Sequence, residues 1–378
     1  MMTERLAFLA ALTLALAPCG ARPQSSYPVL VGELELAVRF DHIYDAATGQ
    51  RAHLSDLYPD SEIGLALHVT DWASLQATLV IEPLTDASSN RAFEDVGLYA
   101  EQLFVNFELG RFAVYAGKFN PAFGTAWDRA PGIYGTDFAE DYEVTEQIGL
   151  GAAAKLETLE WGAHELNVAA FFADTSFLSN SAITRPRRDD PDLGRAKRLR
   201  LADGGAGNTE SLQSFLLALN GGSFGFAPNL GYHVSLLRRE PGRAEIARET
   251  GVAAGLQAEL TLGPGANLTP LVEVARFFHF AGQAQDADYV TVGAEIGWQS
   301  WSLAFSTTAR YFSEPEDGSG PNGRNARDHL RAISLGHDLG HGLGVAVGLK
   351  NERLNGQDVN TVGFVVSYDY DFQLGGRR

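Results

Sequence analysis

Residues along most of this chain switch between apolar and polar, and that period of two constrains the fold more than any other feature. The clearest run lies near the C-terminus. There Val362, Phe364, Val366, Tyr368, Tyr370 and Phe372 alternate with Thr361, Gly363, Val365, Ser367, Asp369 and Asp371. In an extended strand these two sets face opposite sides. Near the N-terminus Leu34, Leu36, Val38 and Phe40 alternate with Glu33, Glu35, Ala37, Arg39 and Asp41, and Leu75/Ala77/Leu79/Ile81 and Val290/Val292/Ala294/Ile296/Trp298 repeat the pattern. A helix would recur at 3.6 residues, so the pattern predicts an all-β chain.

Soluble β-sandwiches alternate too, and the connections separate the two cases. Sixteen segments can be drawn, at 29–41, 61–69, 73–82, 96–107, 111–119, 146–157, 164–173, 211–219, 228–238, 250–262, 268–280, 288–298, 301–312, 328–337, 342–350 and 359–372. Between them short turns (70–72, 108–110, 299–300) take turns with long stretches (42–60, 120–145, 174–210, 313–327). Short turns at one end and long loops at the other are expected of a membrane barrel. Trp72, Trp161, Trp298 and Trp301 fall in or beside the short turns, where an interfacial aromatic girdle belongs. The expected fold is a transmembrane antiparallel β-barrel of about 16 strands, with short periplasmic turns and long extracellular loops.

Composition narrows the rest. Arg5 precedes an apolar run, 6–17, and a small-residue site at Cys19-Gly20-Ala21. This predicts a signal peptide at 1–21 and a single barrel domain at 22–378. Pro18 disfavours lipidation of Cys19, and because Cys19 is the only cysteine, the mature chain has no disulfide and no thiolate metal site. The formal charge of −18 argues against nucleic acid, which needs clustered positive charge. No later apolar run approaches the roughly 20 residues of a spanning helix, so a membrane-spanning form must be a closed barrel.

The segment 362–372 resembles the last-strand signal that outer-membrane barrels present to their assembly machinery, with Gln373 to Arg378 extending past it. Tyr115-Ala-Gly-Lys-Phe-Asn-Pro-Ala-Phe-Gly124 resembles the stretch leading into the constriction loop of bacterial outer-membrane porins. With Ala73 to Val80 after the Asp71-Trp72 turn, it is also similar to the siderophore-porin (LbtU-like) family. The resemblance implies a channel in the outer membrane of a Gram-negative bacterium, passing small hydrophilic solutes or iron–siderophore complexes. It implies contact with outer-membrane lipid and lipopolysaccharide, delivery by the barrel-assembly machinery, and a homotrimer.

Selectivity in such a channel comes from charge at the narrowest point. The candidate constriction loop, 120–145, carries Asp128, Asp137, Glu140, Asp141 and Glu143, with Glu146 just after it, against Arg129; Lys118 lies on the strand before it. Carboxylates there would concentrate cations. By alternation Glu33, Glu35, Arg39, Glu62, Gln76, Glu82, Gln102, Glu108 and Glu273 line the lumen. A run of Arg185, Arg187, Arg188, Arg195, Lys197, Arg198 and Arg200 in the next long loop, partly offset by Asp189, Asp190 and Asp192, is suited to lipopolysaccharide phosphates, to an anionic ligand or to solvent.

Three enzyme-like patterns lack their context. Gly221-Gly-Ser-Phe-Gly225 has the spacing of a nucleophile elbow but sits in a glycine-rich hairpin with no helix after it. His337 and His341 are four apart across turn residues, and Gly149-Leu-Gly-Ala-Ala-Ala154 lies inside an alternating segment. No catalytic residue, cofactor or metal is therefore expected. A barrel enzyme of lipase or protease type and a plugged structural or adhesive barrel are the competing readings.

Overall fold

The computed structural model describes residues 27–46, 53–187, 190, 193–243, 247–313 and 326–376. The expected signal peptide, Arg188 and most of the stretch 313–327 lie outside them. The strands are β1 (Val29–Ala46), β2 (Leu54–Pro59 running on into Ser61–His68), β3 (Ala73–Pro83), β4 (Val96–Leu109), β5 (Phe112–Phe119), β6 (Gln147–Thr158), β7 (Gly162–Ala173) and β8 (Ser214–Phe224). The other half is β9 (Ala227–Arg239), β10 (Glu249–Ala258 running on into Leu260–Gly263), β11 (Ala266–Phe278), β12 (Ala287–Trp298), β13 (Trp301–Phe312), β14 (Ala326–Gly340), β15 (Leu343–Leu354) and β16 (Gln357–Gly375).

Each strand pairs antiparallel with the next, and β16 pairs with β1 from Val29↔Gly375 to Ala46↔Val359, closing a 16-strand barrel. Closure leaves the sheet no free edge strand, so along its paired length each strand's backbone groups meet a neighbour on both sides. The alternation then has its two faces. Leu36, Val38, Phe40, Val290, Val292, Phe364, Val366, Tyr368 and Tyr370 are exposed on the outer wall, and Trp72, Trp161, Trp298 and Trp301 are exposed near the short turns. Trp301 stacks on His337 at 4.1 Å, so that histidine belongs to the girdle, and His341 and Gly342 form a positive-φ turn. Gly149 to Ala154 lie within β6, and Gly221 to Phe224 within β8. Gln373 to Gly375 continue β16 against Val29 to Val31 rather than trailing from it.

Two expectations about connections need correction. β1 and β2 run on to Ala46 and from Leu54, so the expected loop at 42–60 shrinks to 47–53. At the other side of the seam, β15 and β16 meet at a two-residue turn, Asn355 (φ 52°) and Gly356 (φ 80°), so the long–short alternation of connections stops there. The reason is common to both. Above the membrane both faces of a strand meet water, so the sequence no longer alternates although pairing continues. Ladder pairs such as Asp41↔Asp56 and Asn351↔Asn360 carry no apolar signal.

The wall also has a gap. β5 ends at Phe119, leaving the upper edge of β4 without its neighbour. A short strand from the next long loop, Ile183–Arg185, fills it by pairing with Val96–Leu98. It adds no hairpin to the barrel, and the strand count stays at 16. Another short strand, Arg91–Ala92, lies parallel to Asp56–Leu57, fastened by the Arg91 guanidinium fork on Asp56 at 2.8 and 2.9 Å.

Candidate functional site in the lumen

From Phe119 the chain turns into the barrel and returns at Gln147. Its root is tied by Asn120. The Asn120 amide donates to Glu101, its carbonyl oxygen accepts the Glu146 N–H at 2.9 Å, and its own N–H donates to Gln102 at 3.3 Å. Beyond the root, Phe123, Ala126, Trp127, Ala139, Tyr142 and Val144 pack on inward residues of β7 to β12, including Phe171, Leu216, Leu237, Phe277 and Tyr289. The apolar core therefore lies inside the barrel, between this loop and half of the inner wall. Burying an apolar side chain there contributes about 1.5–3 kcal/mol.

Glu273 on β11 fixes the loop's first turn. Its carboxylate accepts from Thr125 N–H at 2.7 Å, Thr125 Oγ1 at 2.8 Å, Ala126 N–H at 3.0 Å and the Tyr142 hydroxyl at 2.7 Å. These N–H groups begin the short helix α1 (Ala126–Arg129) and have no partner within it. The tip is held across the barrel: Ile133 N–H donates to Ser334 Oγ at 3.1 Å, the Arg39 guanidinium donates to Ile133 O at 2.6 Å, and the Tyr134 hydroxyl donates to Asp41. Wall glycines make room for it. A Cβ on Gly293 would lie 2.4 Å from Pro131 Cδ, and one on Gly348 would lie 2.7 Å from Ile133. On the way back, Lys350 pairs with Asp137 at 2.7 Å and Arg310 pairs with Asp141 at 2.6 Å while lying 4.1 Å over the Phe138 ring.

The structure divides the expected constriction residues into two sets. Asp137 and Asp141 are neutralised by wall cations and act as fasteners. Lys118 alternates against the inward Tyr115 and Phe119; its ammonium is enclosed by Glu146 at 2.6 Å, Asp174 at 2.9 Å and Leu178 O at 3.2 Å, away from the pore. Glu146 is drawn into the same group. Glu273 points inward as expected but is 1% exposed beneath the loop, so it anchors rather than lines. Asp128, Glu140 and Glu143 remain on the loop's free side. Burial, with repulsion from Glu101, Glu140, Asp128 and Glu82, pushes the Glu143 carboxyl up to about 9. Burial, against the pull of Arg129, pushes Asp128 up to about 6.

Opposite that side stand β16 and β1 to β4. Glu33 is directly across from Asp371, and Glu35 lies between Asp369 and Glu62. Glu82 accepts from the Tyr99 hydroxyl at 2.5 Å, and Gln76 donates to Ser74 Oγ at 2.8 Å. Glu108 is on the inward face of β4 next to its short turn. Arg39 is spent on Asp60 at 2.8 Å and on the loop tip.

Alternation alone missed Glu101. Thr78 pairs with Gln102 and Leu79 with Ala100, so Glu101 is the extra residue of a β-bulge, and both Glu101 and Gln102 are buried on the lumen side. The signal was present: the outward set reads Leu98, Ala100, then Leu103, Val105, Phe107, a change of parity that only an extra residue allows.

Beneath the loop, toward the short turns, a cavity of about 270 Å³ is lined by Arg129, Lys155, Glu157, Glu165, Asn220, His233 and Gln257 beside Gly221, Gly231 and Gly255. Arg129 donates to Gln257 at 3.0 Å, and Lys155 lies 3.7 Å from Glu165. This is open space edged by a few charges of both signs. No group of three or more His, Cys, Asp or Glu among the described residues is arranged to hold a metal ion.

No family model matches the chain, and no curated protein matches it by sequence. The resemblance to siderophore porins therefore gains no support from either comparison. Solved structures do match. The outer-membrane channel DcaP of Acinetobacter baumannii superposes with TM-score 0.57 at 10% identity, covering 90% of this chain and 97% of that one. OprB of Pseudomonas putida gives TM-score 0.61 at 12% identity, covering 90% and 94%. OpdK of Pseudomonas aeruginosa, solved with vanillate, gives TM-score 0.53 at 10% identity, covering 91% and 99%. At these identities the likeness is one of fold: the chain has the closed 16-strand antiparallel barrel of outer-membrane porins.

Proposed function

We propose that this protein is a diffusion channel of the bacterial outer membrane that prefers cations and passes small hydrophilic solutes. The observation that carries the reading is the division of charge inside the barrel. Lys350 and Arg310, on the wall the loop covers, are occupied by Asp137 and Asp141. On the uncovered side, Glu33, Glu62, Glu82, Glu101, Glu140 and Glu143 make no ion pair with Lys or Arg among the described residues. A negative potential inside low-dielectric walls raises the local concentration of cations and excludes anions. The packed inner loop supports a fixed constriction, and the open space beneath it, edged by Arg129, Lys155, Glu157 and Glu165, supports a path rather than a filled plug. The enzyme alternative gains nothing from the Gly221–Gly225 segment, which is hairpin.

The test is single-channel recording of the refolded chain 22–378 in planar bilayers, with reversal potential read in a salt gradient. Read near pH 10, above the raised Glu143 value, cation preference should fall in a Glu62→Gln, Glu101→Gln, Glu143→Gln triple variant and persist in an Asp137→Asn, Lys350→Gln double variant, which removes a matched pair. A folded barrel without conductance, or an anion preference, would overturn the reading.

A further inference from the structure

We infer that the space beneath the inner loop is a transit site for a small zwitterion, its carboxylate taken by Arg129 and its ammonium by Glu157. The inference rests on the channel reading proposed above and names the class of solute whose passage that channel favours.

The register explains why there is room. On the inward faces of β6 to β10, one row runs Lys155–Glu165–Asn220–His233–Gly255 across successive ladder pairs. The next row, Glu157–Ala163–Gly222–Gly231–Gln257, lies about 6–7 Å nearer the short turns. Three adjacent strands therefore carry nothing longer than a methyl group in the lower row, and the wall is hollow there. Thr125 and Arg129, at the two ends of α1, roof the hollow, and Glu273 holds the start of that helix in place. The resulting cavity of about 270 Å³ is smaller than a drug-sized pocket, so it suits a smaller solute.

Two of the charges at its edge are left without a good partner. Arg129 is the only cation of the loop 120–145. Its guanidinium donates to the neutral Gln257 Oε1 at 3.0 Å, and its one ion pair among the described residues, with Asp128, is long at 3.8 Å. Glu157 is exposed and makes no ion pair among the described residues, whereas Lys155 and Glu165 lie 3.7 Å apart and largely cancel. His233 is spent on the wall: its Nε2 accepts the Gly124 N–H at 3.1 Å, which leaves Nδ1 to donate to Asn220. A bare cation drawn through the acidic constriction would next meet the Arg129 guanidinium, which offers it nothing. A bare anion is turned back earlier, by the carboxylates on the loop's free side. A zwitterion gives Arg129 a carboxylate whose two oxygens fit the guanidinium fork, while its ammonium goes to Glu157. A solute carrying both charges is thus matched at each level.

The test uses the refolded chain 22–378 and three solutes built on one frame: γ-aminobutyrate, butyrate and butylammonium. Binding to the detergent-folded protein is read by saturation-transfer NMR titration, and in planar bilayers by the saturable loss of single-channel current as solute is added. γ-Aminobutyrate should bind the parent about tenfold or more tightly than either singly charged analogue, the effect of one charge-assisted hydrogen bond. Arg129→Gln should remove its advantage over butylammonium, and Glu157→Gln its advantage over butyrate. Folding of each variant is checked by heat-modifiable gel migration. Butyrate binding as tightly as γ-aminobutyrate would make this a plain anion site, and butylammonium doing so would make it a plain cation lane; either outcome refutes the inference. Equal affinity of parent and both variants for γ-aminobutyrate refutes it as well. The NMR titration does not depend on conduction, so the two readings fail separately. A folded barrel that binds the zwitterion without conducting would sink the channel reading, and a cation-preferring channel that binds no zwitterion would sink this inference alone.

Discussion

Replacing Glu273 by alanine tests whether the inner loop is held as described. The carboxylate receives four donors, two of them backbone N–H groups that begin α1 and one the buried Tyr142 hydroxyl of the same loop. Hydrogen bonds to a charged acceptor contribute about 1.5–3 kcal/mol each, but four on one group are not additive, and lumenal water would rescue some of the orphaned donors. A net loss of about 3–4 kcal/mol from loop docking is the working figure. Because the aromatic cluster around Phe123 and Tyr142 and the tip contacts remain, the loop should open more often without the barrel coming apart. At about 1.4 kcal/mol per factor of ten, opening becomes roughly 100- to 1000-fold more frequent. Hydrogen exchange read on peptides spanning 120–145 should accelerate by that factor, with β1–β16 seam peptides unchanged. Trypsin should gain access to Arg129, and single-channel traces should become noisier. If exchange in 120–145 stays within about threefold of the parent while the barrel remains folded, Glu273 is not the clamp and the hydrogen-bond argument fails.

Three further outcomes follow from the same geometry. A carboxyl is neutral below its pKa and charged above it, so with Asp128 near 6 and Glu143 near 9 the cation preference should grow as pH rises from about 5 to about 10. Reversal potentials measured across that range check it, and a preference that is flat or falls with pH contradicts the placement of these groups at the constriction. Lys118→Met should destabilise the barrel by about 3–5 kcal/mol, because it leaves buried Asp174 without its cation, yet leave ion selectivity unchanged; a denaturant titration and a reversal potential together decide this. Gly293→Leu should force Pro131 off the wall, since even a Cβ there lies 2.4 Å from it, and the expected readout is an altered conductance with unaltered barrel migration on gels.

The sequence by itself determined the architecture, because lipid demands it. Every residue on the outer wall must be apolar and its neighbour need not be, so β1, β12 and β16 announce themselves through Leu36, Val290 and Phe364, and the tryptophans mark where the lipid ends. Where lipid stops, legibility stops: the polar extensions of β1, β2, β15 and β16 pair by backbone alone, and backbone pairing leaves no trace in side-chain pattern. The lumen is legible only as a list of inward residues. Which of them faces the pore depended on where the loop lies, a matter of contacts more than a hundred residues apart such as Thr125 with Glu273 and Asp137 with Lys350. Those contacts turned three expected pore carboxylates, Asp137, Asp141 and Glu273, into fasteners. On the reading proposed above they leave the constriction to Asp128, Glu140 and Glu143, facing a wall that includes Glu101, which a strict period of two counted back from Val105 would put on the lipid side. A bulge breaks local periodicity and a folded-in loop covers distant strands. Local pattern can fix which face a side chain takes, and only the tertiary structure decides what that face meets.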